Sequence, residues 1–178
     1  MNAALLLREA RAEERDAIAR LTLRAYEQYA TVMAPSAWRA LRDAVHASLA
    51  DDAGVTRIVA ERDGAIVGSV ALYAPDASPY GNLASRAPWP EVRLVSVEPA
   101  ARGTGVGRAL VLECIRRAKD GGATTLGLHT SRSMHVAARL YERLGFVRDP
   151  DHDFHPPGAE LVEGYRLRLD DSAQHQEP

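Results

Sequence analysis

The 178-residue sequence predicts one mixed α/β domain. Two observations carry that expectation. Apolar runs of strand length alternate with stretches whose apolar residues recur every three to four positions, in the order β-α-α-β-β-β-α-β-α-β-β. Apolar residues make up 46% and charged residues 26% of the chain, as in an ordinary globular domain.

The elements follow in order. "ALLLREA", residues 4–10, reads as a first strand. Residues 13–29 read as a helix with Ile18, Leu21, Ala25 and Tyr29 on one face. "YATVMAP", residues 29–35, has no clear period and reads as a loop. A second helix is expected from Ser36 as N-cap, with Trp38, Leu41, Val45 and Leu49 sharing a face. Residues 56–74 read as a hairpin around Asp63-Gly64, a good tight-turn pair. Residues 75–90, rich in Pro, Ala, Ser and Gly, form a long loop, either functional or a disordered insertion.

"EVRLVSV", residues 91–97, is the next strand. Residues 106–119 form a helix that Gly121-Gly122 should stop. Then come a strand at 124–130, a helix at 133–145 ending in glycine, a short strand at 146–149, a loop at 150–158 and a last strand at 160–169. The expected boundaries are one domain over 1–170 and a tail at 171–178.

Charge and cysteine content exclude several classes. A formal net charge of -2 argues against nucleic-acid and anionic-membrane partners. The single cysteine, Cys114, rules out an internal disulfide and a cysteine metal cluster. "MNAALLLREA" is a poor signal peptide, and no apolar run reaches the roughly 20 residues that span a bilayer. A cytoplasmic location is expected. Cys114 reads as a small core residue and "DHDFH" at 151–155 as a polar loop, so no metal site is expected. His129 and His135 read as a strand-end and a helix-surface residue.

The most informative stretch is "RGTGVG", residues 102–107, between a strand and a helix. Such turns bind anions: successive backbone N–H groups and the open first turn of a helix converge, and glycine lets a ligand approach closely. A P-loop would need Lys-Ser/Thr after the last glycine, but Arg108-Ala109 follow Gly107. A dinucleotide fingerprint starting at Gly103 would need glycine where Arg108 stands. The remaining pattern is R-x-x-G-x-G: Arg102, Gly105 and Gly107.

With "AARLYERLGF" at 137–146 after the intervening helix and strand, this pattern resembles the GNAT superfamily of N-acetyltransferases. The likeness is close over residues 91–147. It implies a central, mostly antiparallel sheet flanked by helices. It implies acetyl-coenzyme A as acetyl donor, its pyrophosphate on Arg102, Gly103, Thr104, Gly105, Val106, Gly107 and Arg108. Its pantetheine arm would lie along a bulged strand at Val95, Ser96 and Val97, with Ala137 and Met134 also against it. Met134 stands where the family often has a cofactor-binding Asn.

In the family the tyrosine matching Tyr141 points at the sulfur, which makes Tyr141 the expected general acid. Glu91, where some members carry a catalytic glutamate, is the expected base; Glu98 is expected to face solvent. The expected activity is acetyl transfer to a primary amine on a small molecule or protein. The alternative is a non-catalytic acyl-coenzyme A-binding sensor or interaction module. A homodimer, common in the family, is a further expectation. The acceptor pocket should draw on the loops at 29–35, 75–90 and 150–158, with Tyr29, Met33, Tyr80, Trp89 and Phe154 as an aromatic or apolar wall.

Overall fold

The computed structural model describes residues 4–170, so the tail expected at 171–178 lies outside the described residues. A single seven-stranded mixed sheet runs through the molecule. Its strands are β1 (Leu6–Glu9), β2 (Val55–Arg62), β3 (Ala65–Tyr73), β4 (Glu91–Val97), β5 (Thr125–Ser131), β6 (Val147–Arg148) and β7 (Val162–Arg168), in spatial order β1-β2-β3-β4-β5-β7-β6. All neighbours are antiparallel except β4 and β5. The fold class is the expected one.

The helices are α1 (Arg15–Tyr26), α2 (Pro35–Ala50), α3 (Val106–Asp120) and α4 (His135–Arg143). Helix α1 ends earlier than expected and the chain continues as a 3-10 turn, Glu27–Thr31. Ser36 is not the N-cap of α2. Pro35 holds the first helical position after Ala34, because its fixed φ suits that position and its missing N–H costs no bond there.

The Asp63-Gly64 hairpin is as read from the sequence. Both residues have positive φ, +53° and +76°, which gives the right-twisting two-residue turn that an Asp-Gly pair favours.

Two apolar layers sandwich the sheet. On one face α3 and α4 cover Ile58, Val70, Val92, Leu126 and Leu128, with Leu110, Val111 and Cys114 coming from α3. Leu110, Leu126 and Ile58 have no exposed surface; each such side chain contributes roughly 1.5–3 kcal/mol through burial. On the other face α1 and α2 place Ile18, Val45 and Leu49 against Val59 and Leu94.

Gly68 on β3 lets α3 settle onto the sheet. A methyl there would lie 2.7 Å from Val106 Cγ1 and 3.0 Å from the Ser96 carbonyl.

Strand β4 carries the irregularity that shapes the centre. Ser69 faces Ser96, but Ala71 faces Arg93, so β4 holds one residue more than β3 between these pairs. Leu94 takes a left-handed φ of +54°, the signature of a bulge. Alternation is broken there: Arg93 and Leu94 both face the α1/α2 side, while Val92, Val95 and Val97 pack toward α3. Beyond the bulge β4 leaves β5. Their ladder consists of Glu91 opposite Gly127 and Val92 opposite Leu128. A V-shaped gap therefore opens at the middle of the sheet.

Candidate active site

The turn 102–107 closes one end of this gap. Gly103 and Gly105 have φ of +74° and +85° and nothing within 4 Å of where a side chain would start. Both are conformations that favour glycine. Gly105 is the N-cap of α3, and no side chain caps that helix. The first N–H groups of α3 thus lack intrahelical partners and face the turn with the positive end of the helix dipole.

Val106 is buried against Gly68. Gly107 brings α3 close to Val97 and to Leu140 of α4. Thr104 is tied down within the turn, donating to the Ala101 carbonyl at 2.7 Å. Arg108 is exposed. One Arg102 nitrogen is already engaged, donating to the Ala25 carbonyl at the end of α1 at 2.9 Å. Glu98, expected to face solvent, is instead partly buried and paired with Arg24.

Tyr141 stands on α4, its ring edge-on to Phe146 at 6.0 Å between centroids and almost fully buried. Burial pushes its phenol well above the ordinary value, and the phenols of Tyr26, Tyr29 and Tyr80 push the same way. The phenol keeps its proton at neutral pH.

A cavity of about 430 Å³ opens on the α1/α2 side of the gap. Met33, Tyr80 and Phe154 line it as the sequence suggested, joined by Tyr26, Leu41 and Leu83. Tyr29 and Trp89 do not line it. Trp89 instead packs over Gly127, beside Glu91, and against His152. Met134 lines the cavity and packs with Met33 and Ala37. Ala137 touches both that cluster and the main core.

The 75–90 loop is held in place. Arg93 Nη1 donates to the Pro79 carbonyl and to Ser48 Oγ, and its guanidinium lies 4.0 Å over the Tyr80 ring. Tyr80 is thereby pressed against His129 and Phe154, with centroids 4.8 Å away in each case.

His129 is the residue that sequence reasoning misplaced. It lies inside β5, with a side chain only 5% exposed, and fronts the cavity. Its Nε2 meets the His152 carbonyl at 2.9 Å. A carbonyl only accepts, so Nε2 carries the hydrogen. Nδ1 is left buried, without a hydrogen-bond partner, 3.5 Å from Glu91 Oε1. Glu91 sits behind His129 rather than on the cavity wall. The alternation of β5 could have flagged His129, since Gly127, His129 and Ser131 must share one face. His135 is on the surface of α4, as expected.

"DHDFH" forms internal links. Asp149 meets His152 at 2.7 Å, and Asp153 pairs with Arg148 at 2.8 Å while accepting from the Gly164 N–H. No helix among the described residues is long and apolar enough to cross a membrane.

The sequence profile of the Acetyltransferase (GNAT) family matches residues 12–146. The chain belongs to the GNAT acetyltransferase family. Mycothiol acetyltransferase of Cellulomonas flavigena is 36% identical over 109 residues, 57% of this chain but 30% of that protein. That of Thermomonospora curvata is 38% identical over 99 residues, 55% of this chain and 29% of its own length. The chain thus spans under a third of these GNAT relatives.

Two solved GNAT-type structures share the fold. The ribosomal-protein-S18-alanine N-acetyltransferase of Escherichia coli has a TM-score of 0.65 at 16% identity, covering 98% of this chain and 100% of that one. A GNAT acetyltransferase of Brucella melitensis in complex with acetyl-CoA has a TM-score of 0.59 at 22% identity, covering 94% and 90%.

Proposed function

We propose that the chain is an N-acetyltransferase that moves an acetyl group from acetyl-coenzyme A to a primary amine by direct attack. The observation that carries this is the uncapped start of α3 beside a gap in the sheet; the buried Tyr141 of α4 supports the reading. The residues fit the donor: Gly103 and Gly105 leave open space over the turn, and the first N–H groups of α3 lack partners.

Acetyl-coenzyme A supplies a thioester. Its pyrophosphate would rest on the backbone of 103–108, with Arg102 and Arg108 supplying charge. The edge of β4 at Val95, Ser96 and Val97, freed by the bulge, would pair with the pantetheine amides as an added strand does. Ala137 and Met134 would line the far side of the arm.

In the transfer, the amine nitrogen forms a bond to the acetyl carbon while the carbon–sulfur bond breaks. Tyr141 gives its proton to the departing sulfur. Glu91 takes the proton lost by nitrogen through an intervening water, because its carboxylate lies behind the cavity wall. His129, which fronts the cavity ahead of that carboxylate, offers Nδ1 as a second acceptor, and solvent returns the proton to Tyr141.

Purified protein, acetyl-coenzyme A and a panel of amines should release free thiol. Tight donor binding by calorimetry with no thiol released from any amine would instead identify a non-catalytic acyl-coenzyme A-binding module.

A further inference from the structure

The cavity holds a cation with no counter-charge. Arg93 is the one lysine or arginine among the residues lining it. Among the described residues no carboxylate pairs with it, and its hydrogen bonds run from Nη1 to Ser48 and Pro79. It also meets the Tyr80 side chain, but no carboxylate among the described residues meets the edge formed by Nε and Nη2. That edge is the fork geometry that binds a carboxylate through two parallel hydrogen bonds.

A half-buried guanidinium on an apolar wall is costly unless something anionic meets it. The two acids that line the cavity do not do so: Asp43 is exposed, and Glu160 accepts from the Ser133 N–H and hydroxyl. Glu91 and Arg93 sit two residues apart on the same face of β4, a spacing of about 7 Å along a strand. Glu91 reaches the cavity through His129, which lies against the same Tyr80 ring as the Arg93 guanidinium, so a proton acceptor and an anion site lie a short molecule apart. The walls around them are apolar: Tyr26, Met33, Leu41, Leu83 and Phe154.

We propose that the acceptor is an α-amino carboxylate with a bulky apolar side chain, its carboxylate held by Arg93 and its amine turned toward Glu91. This rests on the acetyl-transfer reading of the same site and names its substrate class. An amine without a carboxylate leaves Arg93 unmatched.

The test compares phenylalanine, phenylalaninamide and phenethylamine as acceptors, by kcat/KM from thiol release. Phenylalanine should exceed the other two by about tenfold or more, the effect of one charge-assisted pair. Arg93→Gln should erase that ratio, and Arg93→Lys should restore part of it. Arg93 also anchors the 75–90 loop, so the ratio within each variant is the readout. Loop damage lowers all three acceptors together. Equal use of the three by the wild type, or an unchanged ratio in Arg93→Gln, overturns the proposal.

If no amine releases thiol, the transfer reading fails separately. Calorimetry with coenzyme A present then decides this one. Phenylalanine binding that is lost in Arg93→Gln supports it, and no binding to the wild type overturns it.

Discussion

His129 Nδ1 lies 3.5 Å from Glu91 Oε1, with both side chains over nine-tenths buried beneath Tyr80 and Trp89. Nothing else among the described residues bonds to that nitrogen. The two groups thus lie side by side at the floor of the site. Glu91→Gln should lower kcat by about 100-fold or more, the scale of a positioned proton acceptor, with little change in the KM for acetyl-coenzyme A. A kcat within a factor of two of wild type would remove Glu91 from the chemistry.

Tyr141→Phe should likewise cost about 100-fold in kcat. The pH dependence has a definite sign. A phenol raised above its ordinary value of 10 by burial loses its proton only at higher pH. Tyr141 should therefore put no falling alkaline limb on kcat/KM below pH 10. A limb near pH 9 that disappears in Tyr141→Phe would contradict this.

Gly105→Ala forces a Cβ into a left-handed backbone, costing roughly 1–2 kcal/mol, and places a methyl over the turn. Gly68→Ala should destabilise by about 1–3 kcal/mol through overpacking against Val106. The two should separate in calorimetry and melting. Gly105→Ala weakens coenzyme A binding beyond its effect on Tm. Gly68→Ala lowers Tm first, and an unchanged Tm would show that α3 can withdraw from the sheet.

Arg8 bridges Glu14 and Glu61 at 2.6 and 2.7 Å, and its hydrogen bond holds the Glu14 carboxyl down at about 2. Arg116 and Arg117 hold Glu113 at about 2 as well. A carboxyl lowered on folding stabilises above its unfolded value of about 4.5 and stops doing so as pH falls through about 2. Melting from pH 6 down to 2 should show Glu14→Gln below wild type at pH 6, with the gap closing between pH 5 and 2. A constant gap would mean that the charge is not what matters there.

Cys114 has no exposed surface, and burial pushes its thiol up to about 12. A disulfide reagent at pH 8 should leave the native protein unlabelled and react once it is unfolded. Rapid native labelling would show that α3 opens. An unreactive Cys114 also keeps thiol-release assays free of background from the protein.

What the sequence made legible was local. Asp63-Gly64 announced its hairpin because few residues tolerate both turn positions. "RGTGVG" announced its turn because Gly103 and Gly105 need positive φ. The long-range consequences were hidden. Leu94 gives no sign of a left-handed backbone, since leucine there is tolerated only through its packing against α1 and α2. Ser36 has the better capping side chain, but the fixed φ of Pro35 starts the helix one residue earlier. His129 looked peripheral because its cover, Tyr80 and Phe154, comes from residues about 25 to 50 positions away. The hold of Arg93 on the 75–90 loop depends on three segments meeting, which no single window of sequence displays.

The extra residue at Leu94 acts as a change of phase along β4. Upstream of it the even-numbered Val92 faces the α3 core and the odd-numbered Arg93 the other side; downstream the parity reverses, with Val95 and Val97 on the core side. Deleting Leu94 would restore one uninterrupted alternation. Every remaining side chain would keep its face, and only the insertion would be lost: the strand would close onto β3 with nothing to turn it away from β5. One added residue thus opens the middle of the sheet without disturbing which side chains fill the core.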